Sequence, residues 1–343
     1  MKIVRIIKDW AWPDLRRQTP GHTGEWCGVR LALEPVEEYD YVLVLNRVRH
    51  TTTVRCPREN IWALMQEPPC EDRRRLHKGA PEFARIYTTD PTLTGPRYIQ
   101  CQPALPWHVN RDYDFLIKCP PPDKDRDLSW VTSNLATLPG HRRRLDFLKK
   151  ITGRVEFDLF GKGFKPIEDK WEAIASYRYS LAVENHSNPW YWTEKISDCL
   201  LAWTMPIYYG CTRIAEYLPA DCMVRLDIDD PDAVEKVREA VASDGWRKNR
   251  DAIAHARELI LNRHQLFPLL AGLVADHESA TGERAGEVAE VKLNSTPQFD
   301  TPLWRKGLHA AGHAARRLVS RFRFLRLPAS VVKFILRPIL PRR

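Results

Sequence analysis

Short runs of β-branched and aromatic residues alternate along the chain with segments of helical periodicity. In the first part, strands are predicted for the runs KIVRII, YDYVLVLN, IWALMQE, ARIYTT and DFLIK. After a proline-rich joint at residues 119–123, a second series contains LSWVTSN, RVEFDLFG, YSLAVEN, MPIYYG and MVRLDI. Helical patterns such as RRRLDFLKKI, ISDCLLAW and DPDAVEKVREAVA separate these strands. Strand and helix alternating on both sides of a joint predict two doubly wound α/β domains.

These patterns divide the chain into four segments. We predict a first Rossmann-like domain over residues 1–122 and a second over residues 123–275, closed by the long helical segment WRKNRDAIAHARELILNRHQLFPLLAGLV. Residues 276–300 are polar and irregular, which predicts a linker, and residues 301–343 form a basic tail. A length of 343 residues agrees with two domains of ordinary size.

The formal net charge of +9 is concentrated in the tail, which carries eleven Lys and Arg residues and no acidic residue. The body is therefore close to neutral, which argues against nucleic-acid binding and for an anionic partner of the tail alone. Leu318, Phe322 and Leu325 can form one apolar stripe beside arginines, which predicts a helix on an anionic membrane surface. The alternatives are a helix folded back on the first domain and a disordered basic end.

The sequence offers no apolar run of the length that a signal peptide or a transmembrane helix needs. Its eight cysteines are scattered without a CxxC pair, which is typical of reduced thiols and not of a zinc cluster. Together with the tail, these features predict a cytoplasmic protein that is peripheral at the inner face of the cell membrane.

Polar residues follow several predicted strands, where doubly wound sheets collect their ligands. Glu67 follows IWALMQ, Ser133 and Asn134 follow LSWVT, and Glu184 and Asn185 follow YSLAV. Two domains that each offer such an edge predict a polar ligand in a cleft between them.

The stretch NPWYWTEK, residues 188–195, places three aromatic residues before the predicted helix ISDCLLAW. Thr193 is the predicted N-cap, and Lys195 falls in the first turn, where the helix dipole disfavours a cation by roughly 0.3–1 kcal/mol. Backbone N–H groups at a helix start bind phosphate, and a lysine beside them adds a full charge. Lys195 is therefore either a phosphate ligand or a side chain that reaches out to water.

The run YRYSLAVENHSNPWYWTEKISDCLLAWTMPIYYG resembles the donor-binding signature of the α1,3-fucosyltransferases, glycosyltransferase family 10, of bacterial type. It has Glu-Asn after a strand, Tyr-x-Thr-Glu-Lys before a helix, and then Pro-Ile-x-x-Gly, at the spacings of that signature. Weaker similarity extends over roughly residues 55–270. The resemblance implies a GT-B fold, in which two Rossmann-like domains face an inter-domain cleft. It also implies inverting transfer of fucose from GDP-fucose to a saccharide hydroxyl, with an α1,3-type linkage.

The resemblance assigns donor-binding roles by position. Lys195 would meet the diphosphate, Glu194 the ribose, and Asn185 the donor, while Tyr191 would line the nucleotide site beside Glu184. A family arginine that opens a helix matches Arg144 by its spacing to Phe147 and Ile151, with Arg142 and Arg143 as neighbouring alternatives.

Glu67 in MQEPP matches the catalytic glutamate of the family. Inverting transfer needs a base within hydrogen-bond reach of the acceptor hydroxyl, and such a base contributes typically ~10²–10⁴-fold. An ordinary surface or ion-paired glutamate is the alternative for this residue.

Arg144, Lys195 and the helix start can stabilise the charge that develops on GDP, so no cofactor is required and a divalent metal is at most stimulatory. We predict no metal site. The Asp227–Asp230 run is interpreted as a strand end and a helix cap, not as a metal-binding DxD motif. His77, His108 and His186 are interpreted as structural or solvated, with acceptor contact as the alternative.

Two other functions stay open at this point: a transferase for a different GDP-sugar, and a nucleotide-sugar-binding protein without turnover. The intact set of Glu67, Arg144 and Lys195 argues against lost catalysis. The predicted partners are GDP-fucose, a saccharide acceptor such as lipopolysaccharide or a lipid-linked glycan, and an anionic membrane surface, with no nucleic acid.

Overall fold

The structure is a computed structural model that describes residues 1–282 and 286–297. Its first sheet has the strand order β2-β3-β1-β4-β6-β7-β8 and is parallel except for β2, which runs antiparallel to β3 at one edge. The strands of this half are β1 (Lys2–Lys8), β2 (Glu25–Trp26), β3 (Val29–Ala32), β4 (Tyr41–Leu45), β5 (Thr52–Pro57), β6 (Ile61–Leu64), β7 (Arg85–Thr88) and β8 (Tyr98–Gln100).

The second sheet has five parallel strands in the order β10-β9-β11-β12-β13. Its strands are β9 (Arg126–Val131), β10 (Asp158–Phe160), β11 (Tyr177–Val183), β12 (Met205–Tyr209) and β13 (Val224–Arg225). A separate antiparallel ribbon pairs β5 with β14 (Val288–Leu293). Two parallel sheets with helices between their strands confirm the predicted α/β class with two Rossmann-like domains.

The α-helices are α1 (Arg74–Lys78), α2 (Tyr113–Lys118), α3 (Pro139–Ile151), α4 (Glu194–Leu201), α5 (Ala233–Ala242), α6 (Gly245–Lys248), α7 (Arg250–Leu259) and α8 (Leu266–Thr281). A π-helical turn, Ile260–His264, joins the last two. Short 3₁₀ turns cover Leu15–Gln18, Pro20–His22, Arg58–Asn60, Glu71–Arg73, Lys170–Ala173, Ile214–Glu216 and Ala220–Cys222. In the described part of the chain, no helix combines the length and the apolar character needed to cross a bilayer.

Both parallel sheets change their direction of winding at their first strand. The chain places β3 on one side of β1 and β4 on the other, and it places β10 and β11 on opposite sides of β9 in the same way. In doubly wound sheets, the crevice at the carboxyl end of such a switch point is where ligands bind. The fold therefore provides one crevice after β1 and β4 and a second after β9 and β11.

The helix α8 corrects the predicted domain organisation. Its residues Leu266, Phe267 and Leu270 belong to the same buried cluster as Val4 and Ile6 of the first sheet. The long helical segment that was assigned to the second domain therefore ends on the first one. Helical periodicity does not show which sheet a helix packs against. The sequence pattern therefore could not assign the two ends of this segment to different domains.

The predicted linker over residues 276–300 is also wrong in its described part. The helix α8 continues to Thr281, and the strand β14 pairs with β5 through Val288–Leu293. Val291 and Leu293 are buried beside Val54, whereas Glu290 and Lys292 are exposed. This alternation is the signal of a half-buried strand, and it is present in the sequence VAEVKL.

The segment DFLIK forms the helix α2 and not the predicted strand. The side chain of Asp112 accepts a hydrogen bond from the main-chain N–H of Phe115 at 2.8 Å, which caps the helix start. The short strands β2, β3, β5 and β8 were not predicted. The predicted basic tail, residues 301–343, lies outside the described residues.

Candidate functional site

The helix α3 begins against the carboxyl end of β11. Pro139 occupies its first position, and a Cβ atom on Gly140 would overlap the main-chain carbonyl of Asn185, so only glycine permits this approach. The helix start is thereby held at the switch point of the second sheet.

Arg144, one turn further along α3, connects the two strand ends at that switch point. Its Nη2 donates to the carbonyl oxygen and to Oγ of Ser133, both at 3.1 Å, and its Nη1 donates to Oδ1 of Asn185. The side chain is 4% exposed, and its Nε has no hydrogen-bond partner among the described residues. Burial lowers the pKa of the guanidinium, while Glu184 and Glu194 act in the opposite direction. Arg144 therefore places a buried cation between the two strand ends.

Lys195 lies in the first turn of α4, after the predicted N-cap Thr193. Its Nζ is 3.1 Å from Oε2 of Glu184, 3.0 Å from Oγ1 of Thr193 and 3.3 Å from Oε1 of Glu194. Burial alone would lower the pKa of the ammonium group, but Glu184 and Glu194 outweigh it and the pKa is raised. Two carboxylates therefore already compensate the cation at the helix start, and Lys195 does not simply reach out to water.

Glu184 lies behind Lys195 and is 1% exposed. Its carboxylate accepts hydrogen bonds from the main-chain N–H and from Oγ1 of Thr193, both at 2.8 Å. A Cβ atom on Gly210 would overlap the Glu184 side chain, which explains the glycine after β12. Glu184 is therefore placed to position Lys195 and the start of α4. It is not among the residues that line the cavity described below.

Two residues that sequence reasoning missed extend this ionic cluster. Nζ of Lys170 lies 2.8 Å from Oδ2 of Asp198 and 3.6 Å from Oε1 of Glu194. Oδ1 of Asp198 accepts the main-chain N–H of His108 at 2.7 Å, which ties the segment that leads out of the first sheet to α4. Asp198 interrupts the apolar run ISDCLLAW, and a buried carboxylate in such a run was the available signal.

A cavity of about 370 Å³ opens at this point, and Arg144, Asn185, Glu194 and Lys195 line it together with Lys170. Further lining comes from His108, Val131, Thr132, Ser133, Leu135, His141, Gly161, Lys162 and Ile167. Burial and the nearby charges of Arg144, Arg73 and Lys195 lower the pKa of His141 to about 4. Four cationic side chains against one carboxylate give the cavity a positive potential that suits an anion.

A larger hollow of about 770 Å³ lies at the opposite, amino-terminal edge of the first sheet. Its lining contains the carboxylates of Glu38, Asp40, Glu59 and Glu278. This excess of negative charge is unfavourable for a diphosphate, so the smaller, cationic cavity is the candidate site.

Glu67 follows β6 at the carboxyl edge of the first sheet. Oδ1 of Asn46, at the end of β4, accepts the main-chain N–H groups of Gln66 and Glu67 at 2.8 and 3.1 Å. The Glu67 carboxylate forms an ion pair with Arg73 and is 29% exposed. At the neighbouring strand end, Nδ2 of Asn188 in the second domain donates to the main-chain carbonyl of Thr89 at 2.7 Å, so this edge of the first sheet contacts the second domain.

Comparison with known proteins decides the family of the second domain. Residues 121–242 match the family described as "Glycosyltransferase family 10 (fucosyltransferase) C-term". The second domain belongs to glycosyltransferase family 10.

The chain is also similar to mammalian fucosyltransferases. The 4-galactosyl-N-acetylglucosaminide 3-alpha-L-fucosyltransferase FUT6 of Pan troglodytes is 24% identical, and the match covers 65% of each chain. The protein of the same name from Pongo pygmaeus is 28% identical with the same coverage, so the match spans 65% of these relatives' length. A crystal structure of an alpha1,3-fucosyltransferase superposes with a TM-score of 0.47 at 14% identity and covers 88% of this chain and 92% of that one.

The family-10 domain brings four of the predicted donor-binding residues into one cavity: Arg144, Asn185, Glu194 and Lys195. The pKa of Glu194 is well below its ordinary value, because Lys195, Lys170 and His108 together outweigh the effect of its burial, which would raise the pKa. Tyr191 is 3% exposed and donates its main-chain N–H to Oδ1 of Asn188 at 2.7 Å. Tyr191 is not among the residues that line the cavity, and its place at the nucleotide site stays a prediction.

The neighbours of Arg144 point elsewhere. Nη1 of Arg142 donates to the main-chain carbonyls of Ala136 and Thr137 at 3.1 and 3.3 Å. Arg143 forms an ion pair with Asp229, and its guanidinium lies 5.3 Å from the ring centroid of Tyr209. Of these three arginines, Arg144 is the one that lines the cavity.

The carboxylates of Asp227 and Asp230 accept main-chain N–H groups of Asp229 and Asp232 at 3.0 and 2.9 Å. These are tight turns that lead to α5, whose N-cap is Asp232 without a side-chain hydrogen bond, so the predicted helix cap in the Asp227–Asp230 run is wrong. The described residues contain no group of three or more His, Cys, Asp and Glu side chains that could hold a metal ion.

His77 is buried, with Nδ1 2.8 Å from Oγ1 of Thr88 and Nε2 3.0 Å from the carbonyl of Glu67. Burial, with a contribution from Arg73, lowers its pKa to about 4, so it is a neutral structural histidine that supports the Glu67 loop. His186 packs its ring edge-on against Tyr191, with 6.0 Å between the centroids. His108 lines the cavity, 3.9 Å from Oε1 of Glu194.

Proposed function

We propose that this protein transfers fucose from GDP-fucose to a hydroxyl group of a saccharide acceptor, with inversion at the transferred carbon. The observation that carries the proposal is the meeting of Arg144 and Lys195 in one positively charged cavity, at the switch point of a family-10 domain. Such a crevice is where doubly wound domains bind nucleotides.

The cavity provides what a nucleotide diphosphate needs. Arg144 contributes a guanidinium group to the lining, Lys195 adds a point charge, and the start of α4 contributes backbone N–H groups. These groups are fixed by buried partners, so they stabilise the charge of the leaving GDP without reorganisation during the reaction. Glu194, held in its ionised form by the adjacent lysines, is the proposed ribose acceptor of hydrogen bonds.

Glu67 is the proposed base. The acceptor oxygen forms the new bond to the sugar, the sugar–phosphate bond breaks, and GDP leaves with its electron pair. The proton of the acceptor hydroxyl passes to the Glu67 carboxylate. The ion pair with Arg73 holds this carboxylate at the carboxyl edge of the first sheet.

We further propose that the reaction requires no metal ion, because Arg144 and Lys195 supply the positive charge that a metal would otherwise give to the diphosphate. An excess of chelator is expected to leave the rate of transfer unchanged. A rate that falls with chelator and returns with a divalent cation would contradict this part of the proposal.

The names of the curated relatives suggest the first acceptor to test, a 4-galactosyl-N-acetylglucosaminide such as N-acetyllactosamine. Release of GDP would be measured from a panel of GDP-sugars, with and without this acceptor. GDP-fucose is expected to react fastest. Faster reaction of another GDP-sugar would identify that sugar, and not GDP-fucose, as the donor. Tight binding of GDP without any turnover would indicate a non-catalytic binding protein.

Two matched variants test the role of the base. Glu67→Gln is expected to lower the rate of transfer by ~10²-fold or more while the dissociation constant for GDP stays unchanged. Glu71→Gln changes an exposed glutamate of the same loop and is expected to be active. Equal activities of the two variants would exclude Glu67 as the base.

For localisation, we propose that the basic residues of segment 301–343 hold the protein at the cytoplasmic face of the cell membrane. The support is the charge of this segment and its apolar stripe in the sequence.

A further inference from the structure

The loop after β1 carries an exposed tryptophan that the donor site does not use. This loop, called here the β1 loop, consists of residues 9–14 with the sequence DWAWPD. Because β1 is the strand at which the first sheet reverses its winding, the loop stands at that sheet's own switch point. Ligands of doubly wound sheets bind at such switch points, so we expect a second ligand at this position.

The β1 loop is fixed at its start beside the proposed base. Nε1 of Trp10 donates to Oε1 of Gln66 at 3.3 Å, and Gln66 directly precedes Glu67. Oδ2 of Asp9 accepts from Nε of Arg47 at 2.7 Å, and Nζ of Lys8 donates to the main-chain carbonyl of Trp10 at 2.7 Å. These bonds hold the loop against the carboxyl edge of the first sheet.

Further along, the loop reaches the donor cavity. The ring centroids of Trp12 and His108 are 5.0 Å apart, and His108 lines the cavity beside Glu194. The guanidinium of Arg17 lies 5.3 Å from the Trp12 ring centroid and is itself held by the carbonyl of Trp107. The loop thus runs from the neighbour of Glu67 to the rim of the donor cavity.

Trp12 is nevertheless 55% exposed, the largest exposure of any tryptophan in the described part of the chain. A large apolar ring that is fixed by two neighbours and still accessible is typical of a preorganised binding surface. Neither the core of the first sheet nor the donor cavity requires it, since Trp12 belongs to neither.

We infer that Trp12 is the platform on which a pyranose ring of the acceptor saccharide stacks, between the Glu67 base and the donor cavity. A pyranose has an apolar C–H face that packs on an aromatic ring, while its hydroxyl groups stay at the edge, free to reach a base. This inference rests on the proposed function, because it assigns the acceptor for the same reaction. It places the acceptor at the switch point of the first sheet and the donor at that of the second.

The kinetic test compares three variants of the full chain with GDP-fucose and the most active acceptor from a panel of β-galactosides and N-acetylglucosaminides. Trp12→Ala is expected to raise the acceptor KM about 10-fold, the change that corresponds to loss of one good stacking contact, and to leave the dissociation constant for GDP unchanged. Trp12→Phe is expected to recover most of the acceptor affinity. Phe115→Ala removes another exposed aromatic side chain, on α2, and is expected to behave as the unchanged protein.

An unchanged acceptor KM in Trp12→Ala would overturn the inference and leave the proposed function intact. A weaker affinity for GDP in Trp12→Ala, with an unchanged acceptor KM, would also overturn it, because the ring would then stack on the nucleotide base.

A binding measurement keeps the inference testable if the unchanged protein shows no transfer at all. The protein is labelled with 5-fluorotryptophan, the Trp12 signal is assigned by its loss in Trp12→Phe, and the same saccharide panel is added in the presence of GDP. A shift of the Trp12 signal with a saccharide, but not with GDP alone, supports the inference. No shift with any member of the panel overturns it, whatever becomes of the proposed function.

Discussion

Oε2 of Glu184, a side chain that is 1% exposed, lies 3.1 Å from Nζ of Lys195. A cation in the first turn of a helix is unfavourable, and the Glu184 carboxylate compensates for this by pairing with Lys195. The carboxylate behind the lysine holds the ammonium group at the cavity, so Lys195 can be positioned before any ligand binds. The cost of the arrangement is a buried carboxylate on Glu184 whose ion pair in the described part of the chain is formed with Lys195.

Lys195→Ala is therefore expected to affect both stability and binding. Loss of the cation leaves the Glu184 carboxylate buried without its counter-charge, which should lower the free energy of unfolding in urea by about 3 kcal/mol at pH 7. The affinity for GDP should also fall. The double variant Glu184→Gln with Lys195→Met should recover stability but not GDP binding.

A surface pair provides the control for this experiment. Nζ of Lys149 lies 2.8 Å from Oδ1 of Asp146 on the exposed side of α3, and Lys149→Ala is expected to change neither quantity measurably. An unfolding free energy of Lys195→Ala equal to that of the unchanged protein would mean that the buried pair contributes no stability.

Arg144→Lys keeps the positive charge but loses the planar fork that bonds Ser133 and Asn185 together. We expect the dissociation constant for GDP, measured by calorimetry, to rise about 10-fold, since lysine cannot reproduce the several directed donors of arginine. Arg142→Lys, on the exposed side of the same helix turn, should bind GDP normally. Equal losses in both variants would show that general charge, and not the geometry of Arg144, determines the affinity.

His77 predicts a dependence of stability on pH. Its pKa of about 4 in the folded protein lies below the ordinary value of 6.5 in the unfolded chain, mainly because the ring is buried. The unfolded chain therefore binds more protons between these two pH values, so this contribution to stability is complete above pH ~6.5 and is lost as the pH falls toward ~4. The contribution is on the order of 3 kcal/mol.

The measurement is the free energy of unfolding in urea at pH 7 and at pH 4.5, for the unchanged protein and for His77→Gln. The variant is expected to lose less stability between the two pH values, because glutamine does not titrate. Parallel pH profiles for the two proteins would contradict the assignment of His77 as a buried neutral ring.

The proposed membrane association is tested with vesicles. The full chain is expected to cosediment with vesicles that contain acidic lipids, and to be released at high salt because screening weakens attraction between exposed charges. A chain that ends at residue 300 is expected to remain in solution. If removal of residues 301–343 leaves cosedimentation unchanged, the segment is not the membrane-binding part.

Much of the donor side could be predicted from the sequence, because its determinants are local. The strand, the Thr193 cap and the spacing of Asn185, Glu194 and Lys195 all fall within one short run, and the structure brings three of these polar side chains to the cavity. Asp198 could have been noticed as a carboxylate in an apolar run, but its pairing with Lys170 could not be predicted, since it spans 28 positions of sequence. The value of Glu184 as a support for Lys195 was equally hidden, because burial of a carboxylate is a tertiary property.

The proposed acceptor side could not be predicted from the sequence, because its determinants are not local. Trp10 and Trp12 are visible in the sequence, but nothing local separates an exposed tryptophan from a core one. Only the order of the strands shows that the loop after β1 stands at a switch point. Likewise, the periodicity of residues 246–274 predicts helix correctly, while the sheet on which each part packs is decided by contacts with Val4 and Ile6.

The position of α8 has a consequence for the order in which the protein can be completed during synthesis. The cluster that holds Val4 and Ile6 of β1 also needs Leu266, Phe267 and Leu270, which are translated more than 250 residues later. At the ribosome, domains generally fold as their residues emerge. Here the first sheet has one face that remains uncovered until the whole second sheet has been made, so the amino-terminal half is exposed to chaperones and to aggregation while the second sheet is being translated.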